Sequence, residues 1–234
     1  MIAREGLIFI FSGLALTVAF MWGATRFNSY WLFALSAMFA LLTLFTTFFF
    51  RDPDRTCPVE PNLLVAPADG KIVDISEVPH HPFIGGAAVK ISIFLSVVDI
   101  HVNRVPATGV IDYVKYNPGK FFAAYEEKAS ELNEQTEIGM TAESGHKLVF
   151  KQIAGIIARR IVCRLNENDT VTAGRRFGMI RFGSRADLII PADSRLEISL
   201  GDKVYGGQTV IGYLSDTKKK TGATETVKEK NAKI

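Results

Sequence analysis

The chain has 234 residues, 48% of them hydrophobic and 22% charged, with a net charge of only +3 and two cysteines, Cys57 and Cys163. That length suits one substantial domain plus an appendage. Two cysteines make no disulfide framework, and neither has a second Cys or a His at ligand spacing, so no metal site is expected. With no recognisable motif and no aromatics interleaved in its basic stretch, nucleic acid is not expected as a partner either.

The apolar residues gather at the start. Residues 6–25 and 30–50 carry no charge, and each is about as long as the ~20 residues a helix needs to cross a bilayer. A cleaved signal peptide has a shorter apolar core and is not followed at once by a second equal span. Residues 1–55 are therefore expected to form a membrane anchor, a transmembrane helical hairpin turning at Thr25–Ser29. Trp22, Tyr30, Trp31 and Phe48 to Phe50 sit near the span ends, where aromatic rings prefer the interface. Arg4 precedes the first span, Arg26 lies in the turn, and Arg51 and Arg55 follow the second. The positive-inside rule then places both ends, and the domain that follows, on the cytoplasmic side.

Residues 56–216 read as a β-rich domain. Val89, Ile91, Ile93 and Leu95 alternate with Lys90, Ser92 and Ser96, the period of two expected of a half-buried strand. Similar short runs occur at 64–66, 71–75, 109–116, 147–153, 161–165, 187–190 and 196–200, with Gly, Pro, Asn or Asp between them. Phe121–Asn133 reads as helix or loop, and Gly155–Arg160 as helix or strand. Residues 217–234 form a basic tail, expected to be disordered and solvated, with attraction to anionic lipid as its functional alternative.

An internal echo refines the fold class. Asp169 to Gly174 followed by Gly178-Met179-Ile180 repeats the skeleton of Asp202 to Gly207 followed by Gly212-Tyr213-Leu214. The skeleton, D-x-V-x-x-G and then G-x-aliphatic, is similar to that of lipoyl and biotinyl carrier domains. Two copies predict a mainly β, barrel-sandwich hybrid (lipoyl-like) core. Neither copy presents a lysine at the tip of a tight hairpin, so a carrier role is not expected.

The chemistry centres on Gly183-Ser184, within Arg181 to Pro191. A serine hydroxyl can attack the carbonyl carbon of the preceding residue, turning amide into ester, if the backbone is bent and the oxyanion meets donors. Glycine permits that bend. Elimination of the ester leaves dehydroalanine, which hydrolyses to a pyruvoyl group at the new amino terminus. Gly-Ser is also ordinary turn chemistry, so the case depends on its company. Asp69, in Ala66-Pro67-Ala68-Asp69-Gly70, is either a turn aspartate or a member of the site. His101, at the end of the strongest strand, is either a structural histidine or a proton carrier suited to neutral pH. Arg104, Arg181 and Arg185 are surface arginines or ligands for phosphate and carboxylate, which guanidinium binds with paired hydrogen bonds.

Phe49 to Arg55 (FFRDPDR), Ala66 to Gly70 (APADG), Asp99 to Pro106 (DIHVNRVP), Lys151 to Ile161 (KQIAGIIARRI) and Arg181 to Pro191 (RFGSRADLIIP) stand in one order over residues 45–215. Together they resemble the phosphatidylserine decarboxylases of the short prokaryotic type. The resemblance implies self-cleavage between Gly183 and Ser184, giving a large chain 1–183 and a small chain 184–234. It implies a covalent pyruvoyl cofactor derived from Ser184, with no pyridoxal phosphate, and conversion of phosphatidylserine to phosphatidylethanolamine at the inner cell membrane. It gives Asp69 a part in self-processing and matches His101 to the first of two histidines of longer members, with Arg104 where the second would stand. His101 then either serves both steps or cleavage takes another route. In that scheme His101 is the acid that protonates the substrate carbon after carbon dioxide leaves, and residues 119–125 dip into the interface beside the site or belong to the core.

Two readings stay open at this point. A membrane-anchored serine hydrolase would use Ser184, His101 and Asp69 on an external substrate and keep its chain intact. A decarboxylase of a related serine ether lipid would share every motif. A homo-oligomer is likewise left open.

Overall fold

In the computed structural model, which describes residues 1–119, 133–155, 161–180 and 184–215, the two charge-free stretches are helices α1 (Arg4–Phe27) and α2 (Tyr30–Phe49). Asn28 ends α1 in the left-handed conformation, φ 46°, and its N–H bonds to Ala24 O; asparagine is one of the few residues that tolerates this cap. The helices pack against each other through Phe20 and Phe39, stacked 5.3 Å apart, and through Ser36 Oγ, which donates to Thr17 O at 3.0 Å. Backbone bonds from Ala3 N to Phe50 O and from Asp52 N to Met1 O, both 2.8 Å, tie the two ends of the hairpin together. Ile8, Phe11, Trp22, Leu41 and Leu44 point outward and are well exposed. Both helices are long and apolar enough to cross a membrane, and an exposed apolar surface of this extent marks a place of membrane or protein contact.

The described chain divides into two compact units, one made of Met1–Asp54 with Val97–His101 and the other of the remaining residues. The second is built from strands β1 (Leu63–Val65), β2 (Gly70–His81), β3 (Gly86–Leu95), β4 (Val102–Arg104), β5 (Gly109–Asn117), β6 (Gln135–Ala142), β7 (Lys147–Ile153), β8 (Ile161–Cys163), β9 (Thr170–Val171), β10 (Arg176–Ile180), β11 (Ser184–Pro191), β12 (Arg195–Leu196), β13 (Lys203–Val204) and β14 (Val210–Tyr213). One sheet has eight strands in the order β13-β2-β3-β11-β7-β6-β5-β9; two smaller ones are β1-β14-β12 and β4-β10-β8. Ile72, Ile91, Ile93, Ile111, Met140, Phe150 and Leu188 belong to one buried core, the outcome expected of strands with one apolar face. The fold is thus mainly β with an N-terminal helical hairpin, consistent with a barrel-sandwich hybrid core.

The strand read at 196–200 is shorter than expected, covering Arg195–Leu196. A turn takes over, in which Asp202 Oδ2 accepts from Ser199 N at 2.8 Å and Gly201 adopts φ 94°. The helix or loop at 121–133 lies outside the described residues except for Asn133. Residues 156–160 and 217–234 lie outside them too.

The echo seen in the sequence is one part of a larger duplication. The eight-stranded sheet is a palindrome, β13-β2-β3-β11 meeting β7-β6-β5-β9, and each half has its own three-stranded sheet. The copies correspond as β1/β4, β2/β5, β3/β6, β11/β7, β12/β8, β13/β9 and β14/β10, the second inserted whole between β3 and β11 of the first. Individual bonds repeat. Gly207 N bonds to Ala66 O and Gly174 N to Val105 O, both at 2.8 Å, with φ of 73° and 78° at the two glycines, a conformation that favours glycine. Asp169 Oδ2 accepts from Asn166 N as Asp202 accepts from Ser199 N. Val65 N reaches Pro106 O and Arg104 N reaches Pro67 O, both at 2.9 Å, knitting the copies together. Ala66-Pro67-Ala68-Asp69-Gly70 is thereby the counterpart of Val105-Pro106-Ala107-Thr108-Gly109.

Candidate active site

Ser184 opens β11, where it pairs with Leu95 at the end of β3. It is wholly buried, and its Oγ has no hydrogen-bond partner among the described residues. A buried hydroxyl left unpaired costs about 1–3 kcal/mol, so an orphan of this kind calls for an explanation. Gly183 and Arg181 lie outside the described residues. The strand before them, β10, ends at Ile180 in a three-stranded sheet, whereas β11 lies in the eight-stranded one.

Asp69 precedes β2 at the same end of the sheet as Ser184, since Phe94 pairs with both Lys71 and Arg185. Its carboxylate is gripped by Arg55, with Nη1 to Oδ1 at 2.5 Å and Nη2 to Oδ2 at 2.8 Å. Gly206 N also donates to Oδ1, at 2.8 Å, and Arg55 Nη1 donates to Gly206 O at the same distance. Both side chains are almost wholly buried. In the other copy Thr108 Oγ1 accepts from Ala173 N at 3.1 Å, so a neutral hydroxyl does the turn-capping work there. What Asp69 adds over its counterpart is a charge and its clamp, Arg55. Sequence reasoning used Arg55 only for membrane orientation; the signal that could have found it is its place in the motif Phe49 to Arg55.

His101 lies a few residues beyond β3 in the chain, in the unit that contains the helices. It is wholly buried, with Nδ1 2.9 Å from Asp99 O and its ring centroid 4.3 Å from that of Phe49. A carbonyl oxygen only accepts, so this contact assigns the proton of the neutral ring to Nδ1 and leaves Nε2 to give or take one.

The arginines differ in their surroundings. Arg185 is buried, its Nε donating to Asp187 Oδ1 at 2.6 Å and its Nη2 to Ser92 Oγ at 2.5 Å, so holding a lipid anion would mean giving up these partners. Arg104 is buried as well, with Nη1 donating to Gly174 O at 3.0 Å. Two buried amides that the sequence reading did not single out, Asn103 and Gln152, join through Gln152 Nε2 and Asn103 Oδ1 at 2.9 Å. Asn103 Nδ2 and Gln152 Oε1 are left without partners among the described residues. Gln152 faces Ala186, two positions along β11 from Ser184.

The cysteines offer no competing nucleophile. Burial raises the Cys57 thiol above its ordinary value against the opposing pull of Arg104, and burial raises Cys163 against a backbone hydrogen bond, so both stay protonated near neutral pH. Among the described residues no group of three or more His, Cys, Asp or Glu is placed to hold a metal ion. A cavity of about 420 Å³ is lined by Cys57, Glu60, Thr108, Glu143 and Thr172 among others; it adjoins the neutral Thr108 copy and includes none of the candidate site residues.

The family model described as phosphatidylserine decarboxylase matches residues 42–212, from within α2 to within β14. The chain belongs to the phosphatidylserine decarboxylase family. It is 47% identical to a protein of Desulfotalea psychrophila over 91% of this chain and 96% of the relative, and 45% identical to one of Symbiobacterium thermophilum over 91% and 95%. A protein of Pelobacter propionicus matches at 45% over 91% and 96%. All three carry the name phosphatidylserine decarboxylase proenzyme. Membership of a phosphatidylserine decarboxylase family makes the chain an enzyme.

Proposed function

We propose that the chain is the precursor of a pyruvoyl-dependent enzyme that cuts itself between Gly183 and Ser184 and then converts phosphatidylserine to phosphatidylethanolamine. The observation that carries this reading is the buried Oγ of Ser184 at the head of β11, without a hydrogen-bond partner among the described residues. In cleavage Oγ bonds to the carbonyl carbon of Gly183 while the peptide C–N bond breaks, and elimination then frees the new Gly183 carboxylate. The residues fit the group they would make: its carbons are those of Ser184, buried at the head of β11, while Oγ leaves with the Gly183 carboxylate and the dehydroalanine that remains takes up water and releases ammonia to give the ketone. Once formed, a pyruvoyl ketone supplies an electron sink for the pair released as a substrate carboxylate departs.

The remaining roles fall to the chain's own side chains. Asp69, fixed by Arg55 and Gly206 N, serves self-processing. His101, its Nδ1 held at Asp99 O, moves the proton at Nε2. Arg104 and Arg181 are the arginines assigned to phosphate or carboxylate, with Arg185 joining them only by releasing Asp187.

The test is the mass of the purified protein. Denatured, it should resolve into a chain ending at Gly183 and one beginning at position 184 with a ketone-reactive terminus. Under native conditions the two should travel together without any disulfide, because β11 is paired on both sides, with β3 and β7, and β14 pairs with β1. A single uncut mass would favour the hydrolase reading instead. Substitution of His101 by Ala is expected to slow decarboxylation per cleaved chain by roughly 10²–10⁴-fold; a cleaved, fully active variant would remove His101 from the mechanism.

The anchor and its arginines support membrane association with the β unit on the cytoplasmic side of the inner membrane. Protease added outside intact spheroplasts should leave the β unit whole, and its digestion there would reverse the orientation.

A further inference from the structure

Residues Val97–His101 belong with the helical hairpin although strands flank them on both sides in the chain. Arg51 Nη2 donates to Val98 O at 2.6 Å, while its Nη1 donates to Phe48 O at 2.9 Å and its guanidinium lies 4.0 Å from the Phe48 ring centroid. Phe49, the last residue of α2, sets its ring 4.3 Å from the His101 imidazole at an interplanar angle of 37°. Phe50 packs edge-on against the other aromatic, its centroid 5.0 Å from that of Phe49.

Phe48 and Phe49 have different surroundings. Phe48 is 47% exposed, as befits an aromatic at a membrane interface. Phe49 is wholly buried, and a ring needed only to seat a helix end in lipid gains nothing from burial against an imidazole. An imidazole whose one nitrogen is held at a carbonyl still swings about that contact unless its face is packed. Phe49 supplies the packing, and Arg51 holds the backbone that carries both Asp99 and His101.

We infer that the end of α2 is a positioning element for His101, with Phe49 fixing the imidazole and Arg51 fixing its loop, so that the anchor contributes to turnover itself and not only to residence on the membrane. This rests on the proton-carrying role proposed for His101. Misplacing a reacting group by about 1 Å costs up to ~10²-fold in rate. A tether behaves differently, since its loss lowers the local concentration of substrate and is overcome by adding more.

The experiment compares full-length Phe49→Leu, Phe49→Tyr, Arg51→Met and His101→Ala on phosphatidylserine dispersed in detergent micelles, with kcat expressed per cleaved chain. Phe49→Leu and Arg51→Met are expected to lower kcat by roughly tenfold to 10²-fold with little change in KM, and Phe49→Tyr, which keeps the ring, to restore most of it. A second readout needs no turnover. In uncut Ser184→Ala protein, carbethoxylation of His101 by diethyl pyrocarbonate, followed by peptide mass, should accelerate on adding Phe49→Leu or Arg51→Met and not on adding Phe49→Tyr. Wild-type kcat and wild-type His101 reactivity in both loosened variants, with His101→Ala inactive, would overturn the inference while leaving the role of His101 intact. An active His101→Ala enzyme would instead remove the reading on which the inference rests. If Phe49→Leu fails to accumulate, Arg51→Met decides by the same two readouts.

Discussion

Ser184→Ala is expected to yield a single uncut chain with decarboxylase activity at background, because the variant removes the oxygen that attacks Gly183 and, with it, the ester whose elimination starts the route to the cofactor. The fold should survive. Ser184 Oγ has no hydrogen-bond partner among the described residues, so its loss breaks no named bond, and the smaller side chain relieves an orphaned polar group worth about 1–3 kcal/mol. The uncut variant should therefore melt no lower than the cut wild-type complex, helped further by an unbroken link into β11. That combination, lost chemistry with undiminished stability, separates a reactive serine from a structural one. Melting well below wild type would return Ser184 to the role of a turn residue, and a cut or active variant would exclude it as the source of the cofactor.

How much of this was legible in the sequence depends on whether the signal was local. The alternation from Val89 to Leu95 gave β3, and the charge-free stretches gave both helices, since side-chain period and span length are properties of short windows. The D-x-V-x-x-G echo is local too and led to the barrel-sandwich reading. Its wider frame was missed, because Ala66–Gly70 and Val105–Gly109 share Pro, Ala and Gly over a stretch too short to stand out, and the relation shows itself in bonds such as Val65 N to Pro106 O. The company of Arg185 could have been foreseen: Asp187 is two residues on in a strand and so on the same face. The grip of Arg55 on Asp69 was not foreseen, since nothing between these two positions marks the loop as folding back, and only the place of Arg55 in the motif Phe49 to Arg55 sets it apart. The enclosure of His101 by Phe49 likewise depends on the segment Val97–His101 leaving the strands to join the helices, which no periodicity announces.

The second large effect concerns Asp69, and the duplication supplies the control. Asp69→Thr installs the residue that stands at the equivalent position, Thr108, whose Oγ1 already caps Ala173 N in its own copy. The turn at Gly206 should keep its cap, and self-cleavage should slow by roughly 10²–10⁴-fold, the range for removing a group that assists proton transfer. The substitution also strands Arg55, buried and charged, at a cost of about 3–5 kcal/mol. A slow precursor could then be blamed on poor folding, which the double variant Arg55→Met/Asp69→Thr resolves. Removing both partners of a buried pair in favour of uncharged side chains is often neutral for stability, so the double variant should melt close to Ser184→Ala, the other uncut chain, and still fail to cut itself. Cleavage at the wild-type rate in the double variant, followed by the time course of the two chains on a denaturing gel, would mean that the carboxylate and its arginine serve only to fasten Gly206. If cleavage instead fails while stability is kept, the charge that distinguishes one copy of the duplication from the other is what converts a capping turn into part of a self-processing site.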